Sequence, residues 1–455
     1  MAKIQTRYVC SSCGAQAAQE LGRCPVCGAW GTYVEETIQK GTPTRKAVVM
    51  SDNAPINIRD VQHAHLQRID LHCEELNRVL GGGLVPGSMV LLGGEPGIGK
   101  STLALQVVLN MGEQRTLYVS GEESVQQLRL RADRIASNAE QCQVVSETNL
   151  ERILQHIEQT QPEIIVIDSI QTIQTEALEA SAGSVSQVRE CATRLLRCAK
   201  ETNTPMIVIG HINKEGSIAG PKILEHIVDV VLQFEGDQHY MYRILRGQKN
   251  RFGSTSEIGI FEMMQNGLRE VKNPSELLLT QAHQGLSGVA IASAIEGVRP
   301  LLIEVQALVS SAPYGIPQRS STGFDTRRLN MLLAVLEKRV GFKLGAKDVF
   351  LNIAGGLRVT DPANDLAVIA SVLSSSLDMP IDHQTCLTGE VGLSGEIRPV
   401  TRIEQRVLEA QKLGFKRIIT PAFSAEGTRL THARIQIIQV NKVEEAFRML
   451  FSKTK

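Results

Sequence analysis

The chain has 455 residues, 42% hydrophobic and 21% charged, with 48 Lys and Arg against 48 Asp and Glu. That length exceeds what one core fills and predicts about three domains of ordinary globular composition. The zero net charge excludes a uniformly basic coat for nucleic acid, so any positive surface must be gathered on one face.

The N-terminus, MAKIQTRYVC, has no apolar leader, and no run of about 18 uncharged apolar residues occurs. A cytoplasmic protein without membrane contact is expected. Residues 1–36 carry four of the nine cysteines, as Cys10-x2-Cys13 and Cys24-x2-Cys27, each pair followed by a glycine (Gly14, Gly28). Four thiolates at this spacing can surround one tetrahedral Zn²⁺, and the glycines let backbone N–H groups turn toward sulfur. Two disulfides or an iron–sulfur cluster are the competing readings, and a reducing compartment disfavours the disulfides. So short a segment cannot bury its own core, so metal binding should supply its folding energy. The remaining cysteines, Cys73, Cys142, Cys191, Cys198 and Cys386, are scattered and read as small buried apolar residues. Residues 37–67, polar and holding Pro43 and Pro55, read as a linker.

From 68 to 272 apolar runs at 89–94, 116–121, 163–169, 205–210 and 227–234 alternate with helical patterns at 100–111, 124–136, 149–160 and 184–202. This alternation predicts an α/β fold with a mostly parallel sheet covered on both faces. Gly94-Glu95-Pro96-Gly97-Ile98-Gly99-Lys100-Ser101, followed by Thr102, is a P-loop placed between an apolar strand and a helix start. Its backbone N–H groups would cradle the phosphates of ATP, Lys100 would reach the β and γ oxygens, and the Ser101 hydroxyl would hold Mg²⁺. Asp168 ends the run IIVID and suits the Mg²⁺ shell; it is followed by Ser169 and Ile170, not by a glutamate. Glu122 and Glu123 stand at the end of the strand after the P-loop helix, a placement that resembles RecA-like ATPases and makes them the candidates to activate water, the bland reading being carboxylates at a solvated helix N-terminus. The spacing does not choose between them.

The lead-in LGGGLVPGSMVLLGGEPGIGKSTL, the SGEES pair, the stretch GHINKEGSIAGPKILEHIVDVVLQFEGD and Lys249-Asn250-Arg251-Phe252-Gly253 together resemble the RadA/Sms family, over all four segments. The resemblance implies a RecA-like ATPase acting on single-stranded and branched DNA in recombinational repair, as a homohexameric ring that promotes branch migration, with a RecA-type recombinase as a possible partner. It also implies that Lys249 and Arg251 act in trans on a neighbour's γ-phosphate. The alternative is a solvated basic hairpin, since Arg243 and Arg246 are basic neighbours with no acid nearby in the sequence. In the same way His211 stands where RecA-like proteins keep a γ-phosphate sensor, against an ordinary structural histidine at a strand end. The segment Asn213 to Gly220 suits a loop facing the ring axis.

Residues 273–455 resemble the Lon protease domain, in GGLRVTDPANDLAVIASVLSS and LTGEVGLSGEIRPVTRIEQRVLEAQKLGFKRIITP. At the positions of the Lon serine and lysine stand Ala363 and Arg406, which offer neither a nucleophile nor a general base. The expectation is a retained α/β scaffold without proteolysis. Arg319, Arg327, Arg328, Lys338, Arg339, Lys343 and Lys347, opposed by Asp325 and Glu337, would give it a positive edge for phosphate backbones, or simply a solvated face. The alternatives to a DNA-dependent ATPase are a Lon-type ATP-dependent protease, disfavoured by the missing dyad, and a KaiC-like signalling ATPase.

Overall fold

The computed structural model describes residues 4–10, 15–26, 28–39, 67–135, 141–211, 223–236, 242–273, 285–312, 315–356, 358–423 and 433–451, with Ser275, Leu279 and Leu430. Cys13, Cys27, residues 40–66 of the expected linker and the expected loop from Asn213 to Gly220 lie outside them. Contacts divide the chain into two units, Met1–Gln238 with Arg243–Glu270, and His239–Tyr242 with Val271–Lys455.

The first unit opens with a small antiparallel sheet in the order β2-β1-β3, formed by β1 (Ile4–Cys10), β2 (Gln16–Ala17) and β3 (Tyr33–Gln39). Its larger sheet has nine strands in the order β12-β11-β10-β9-β4-β8-β7-β5-β6. These are β4 (Met89–Gly94), β5 (Thr116–Ser120), β6 (Cys142–Ser146), β7 (Ile164–Asp168), β8 (Met206–His211), β9 (Val230–Glu235), β10 (Tyr242–Asn250), β11 (Ile258–Met264) and β12 (Gly267–Glu270). The six strands from β9 to β6 run parallel, whereas β9–β10 and β11–β12 pair antiparallel. The helices are α1 (Glu74–Leu80), α2 (Lys100–Leu109), α3 (Val125–Ile135), α4 (Leu150–Thr160), α5 (Val185–Thr202) and α6 (Ile223–Ile227).

Apolar side chains on both faces make these strands continuous apolar runs. Val90 and Leu92 of β4, Ile164 and Val166 of β7, and Ile207 and Ile209 of β8 enter one core with α1 and α2. Met89 and Leu91, Ile165 and Ile167, and Met206 and Val208 enter the other, with α4 and α5. Period-2 alternation thus feeds two layers, as a parallel sheet requires. One expected element is corrected. The run 227–234 is not a single strand: it contains the end of α6 at Ile227 and the start of β9 at Val230. A short, mostly apolar run has no periodicity to separate a helix end from a strand. The buried Asp229 carboxylate sits at the break and accepts the Met89 N–H at 3.2 Å.

In the second unit a seven-stranded sheet has the order β15-β16-β14-β13-β17-β20-β21. It comprises β13 (Val289–Glu296), β14 (Arg299–Ser311), β15 (Arg319–Thr322), β16 (Lys347–Ile353), β17 (Thr385–Leu387), β20 (Arg417–Pro421) and β21 (Gln436–Val440), with β18 (Glu390–Val391) and β19 (Ile397–Arg398) as a separate ribbon. Its helices are α7 (Thr326–Val335), α8 (Asp365–Leu377), α9 (Ile403–Lys412) and α10 (Val443–Phe451). Ten successive residues of α8, from Asp365 to Ser374, are buried, so that helix has no solvated face over most of its length. Among the described residues no helix is long and apolar enough to cross a membrane.

Candidate nucleotide site

Strands β4, β8, β7 and β5 are neighbours, and their C-terminal ends bring together residues far apart in the chain. The crevice outside such strand ends is where an open α/β sheet binds ligands. The turn after β4 feeds α2 through Gly99, at φ +112°, where a Cβ would come within 2.8 Å of the Met263 methyl carbon; glycine alone meets both demands. Lys100, Ser101 and Thr102 form the first turn of α2, with orphan N–H groups aimed at an anion. Lys100 is 3% exposed and donates to the carbonyls of Gly94 and Glu95, each at 2.8 Å. Burial pushes its ammonium down to about 8, against the pull of Asp168, Glu122 and Glu95.

Asp168 is buried at the end of β7. Its Oδ2 accepts the Tyr118 hydroxyl at 2.6 Å, and its Oδ1 is buried with no partner among the described residues. Burial raises its carboxyl above the ordinary range, offset in part by the bonds from Tyr118 and Ser101. The Asp168–Ser169 peptide is cis.

The two glutamates part company. Glu122 Oε1 accepts the Ser169 hydroxyl at 2.6 Å and lies 3.0 Å from His211 Nε2. Burial pushes the Glu122 carboxyl up, but the bonds from Ser169 and His211 and the charges of His211 and Lys100 more than offset it and hold the group below its usual value. Glu123 pairs instead with Arg131 of α3. Tyr118, Ser169 and Arg131 are site residues that the sequence reading missed. Arg131 left a trace: three residues beyond Leu128, the buried residue of α3, it carries a charge on the core-facing side of a solvated helix.

Lys249 and Arg251 do not join this group. Lys249 pairs with Val231 of β9, which pairs with Leu91 of β4, so its backbone is level with Leu91, three residues before Gly94. Its Nζ donates to the carbonyls of Glu225 and Val228, each at 2.7 Å, at the C-terminal end of α6. Arg251 pairs with Asp229 at 3.3 Å and Arg246 with Glu235 at 2.7 Å. The stretch therefore has acids close by, which corrects the picture of an unopposed basic hairpin.

The small N-terminal sheet suits a metal as far as it is described. The Cys10 N–H donates to Ala15 O at 2.9 Å and the Cys24 N–H to Ala29 O at 2.8 Å, each to the carbonyl five residues on. Both thiols are buried in one cluster with Tyr33, whose hydroxyl donates to Cys24 Sγ at 3.8 Å. Cys10 and Cys24 thus bring two sulfur donors into one cluster, as a tetrahedral thiolate site needs.

In the second unit Ala363 is fully buried in the short turn Pro362–Asn364, and Arg406 of α9 is fully buried beside it. Arg406 binds Asp361 Oδ2 at 2.7 Å, Ser293 O at 2.6 Å and Thr401 O at 2.9 Å. Asp361 also accepts the N–H groups of Ala363 at 3.0 Å and Ile295 at 2.8 Å. This is a closed ionic network with no nucleophile at residue 363. Of the expected positive edge, Arg328 makes a bidentate pair with buried Asp365 at 2.6 and 2.5 Å, and so anchors α7 to α8.

The chain matches the AAA domain family over residues 55–217, the rubredoxin metal binding domain family over 8–35, and the family of subunit ChlI of Mg-chelatase over 315–424. It is 49% identical over 454 residues to the DNA repair protein RadA of Bacillus subtilis, covering 98% of this chain and 99% of that one. Against the protein of the same name from Halalkalibacterium halodurans it is 46% identical with all of both chains covered, and against that of Listeria monocytogenes 48% with 98% of each. Among solved structures, a KaiC-like protein from Pyrococcus horikoshii aligns with 45% of this chain and 99% of its own, at 22% identity and a TM-score of 0.39. With a P-loop ATPase module, a metal-ribbon module and this likeness over nearly its whole length, the chain belongs to the RadA family of DNA repair proteins.

Proposed function

We propose that this protein is a DNA-stimulated, ring-forming ATPase that moves on single-stranded DNA and remodels branched recombination intermediates, each ATP site being completed by Lys249 and Arg251 of the neighbouring copy. One observation carries the reading. Lys249 is level with Leu91, about 10 Å of strand before Gly94 at about 3.3 Å per residue, and two strands to the side. A lysine placed there serves poorly in its own site and suits a neighbour's. Its two backbone acceptors on α6 hold it until an assembled ring offers phosphate, and α6 follows the strand that ends in His211.

Within one copy the labour divides as follows. The turn 94–99 and the start of α2 bind the phosphates, Lys100 exchanges its carbonyl partners for phosphate oxygens, and Ser101 and Asp168 would hold Mg²⁺, which would supply charge neutralisation when bound with ATP. Glu122, kept ionised and partly exposed, takes the proton of the attacking water, and His211 senses the bound phosphate through Glu122. Zn²⁺ held by Cys10, Cys13, Cys24 and Cys27 would supply the folding energy of the N-terminal segment. DNA is gripped chiefly by backbone charge from Arg319, Arg327, Lys338, Arg339, Lys343 and Lys347; Arg328 is committed to Asp365.

The test is ATP turnover with single-stranded DNA in mixtures of wild type and Lys249→Ala. Catalysis in trans gives inhibition steeper than dilution; a linear decline, with full activity from a species that stays monomeric, refutes the shared site.

A further inference from the structure

Glu123 and Arg131 form a pair that the division of labour above leaves unused. Their side chains are 26% and 24% exposed, so this is not a solvated surface bridge. A half-buried Arg–carboxylate pair repays its partial desolvation best when its remaining polar atoms are also bonded. Here they are not. Glu123 Oε2, Arg131 Nη1 and Asp168 Oδ1 are each buried with no hydrogen-bond partner among the described residues. Leaving such an atom unmet costs stability, and proteins keep such atoms where ordered water or a ligand completes them. The pair and Asp168 are electrostatic neighbours, for the charges of Arg131, Glu123 and Asp168 all act on the Tyr118 hydroxyl. Tyr118 donates to Asp168, and the charge of Arg131 acts on both. Asp168 in turn adjoins Ser101, at the mouth of the phosphate loop.

We propose that Arg131 is a positioning residue for the nucleotide's Mg²⁺: it clamps Glu123 so that the spare Glu123 oxygen and Asp168 Oδ1 accept hydrogen bonds from the cation's water shell. Glu123 is thereby withdrawn from proton transfer, which falls to Glu122, and the inference rests on that reading. Its chemistry is that of an outer-shell partner, which holds hydrated metal by orienting its waters.

The measurement is the affinity of full-length protein for fluorescent ADP, in EDTA and across a Mg²⁺ titration. Arg131→Gln should raise the Mg²⁺ concentration needed for tight binding about tenfold and leave the affinity in EDTA unchanged. Glu123→Gln should give the same shift, the two together no more than either alone, and Arg131→Lys should restore part of it. An unaltered Mg²⁺ curve for Arg131→Gln, or equal weakening with and without Mg²⁺ as a mere packing role would give, overturns the proposal. Should Arg131→Gln fail to fold, the isosteric Glu123→Gln carries the same test. The underlying reading fails separately: if Glu122→Gln keeps its turnover while Arg131→Gln still shifts the Mg²⁺ curve, Glu122 is not the base and the role of Arg131 stands.

Discussion

Each unit holds an ionic centre withdrawn from solvent, and the two are completed differently. Around Arg406 and Asp361 in the second unit, both carboxylate oxygens and the guanidinium Nε, Nη1 and Nη2 all have partners. Around the phosphate loop, Asp168 Oδ1, Glu123 Oε2, Arg131 Nη1 and His211 Nδ1 are buried without partners among the described residues, and Lys100 makes do with two carbonyls. A fully satisfied network rigidifies a fold, whereas leaving several polar atoms unmet costs stability that only a bound partner returns. The second unit's centre is therefore a structural keystone, whereas the first unit's centre keeps the open valences that a ligand site needs.

The sharpest way to break this contrast is at Glu122. Glu122→Gln should lower kcat about 10²- to 10⁴-fold, as loss of a general base does, whereas Glu123→Gln at saturating Mg²⁺ should cost far less. Phosphate release at saturating ATP measures both, and the reverse order would show that the partly exposed glutamate is a bystander. Next comes the keystone. Arg406→Leu leaves the Asp361 carboxylate without its cation and should destabilise the second unit by about 3–5 kcal/mol, read from denaturant unfolding. A cost below about 1 kcal/mol would mean that the closed network is ornamental.

The smallest effect concerns Lys100. Burial lowers its ammonium to about 8, and phosphates raise it again. Binding is thus favoured while the free protein keeps the proton, and weakens as pH climbs through that value. Calorimetry of ADP binding above pH 8, in buffers of different ionisation enthalpy, should show uptake of up to about one proton, and near-zero uptake at neutral pH. No uptake at high pH would mean that Lys100 is already fully charged in the free protein.

The ATPase module and the metal ribbon were legible because the phosphate loop and the cysteine pairs are contiguous patterns whose spacing is itself the chemistry. The parallel core strands were legible too, since their apolar runs are dictated by burial on both faces. The boundary near Asp229 was not, because a helix end and a strand start share one short, mostly apolar stretch with no clear period.

What the chain order alone determined is which groups are available: a phosphate turn, an acidic strand end, two adjacent glutamates and a basic stretch. What the tertiary structure decided is which of them meet. Strand order sets β5, β7 and β8 side by side, which hands Glu122 to Ser169 and His211, while the core face of α3 hands Glu123 to Arg131. The pairing of β10 with β9 carries Lys249 to α6, level with the middle of β4. The physical reason is that these contacts join residues separated by 8 to 89 positions, and only packing of the sheet and its helices closes such distances.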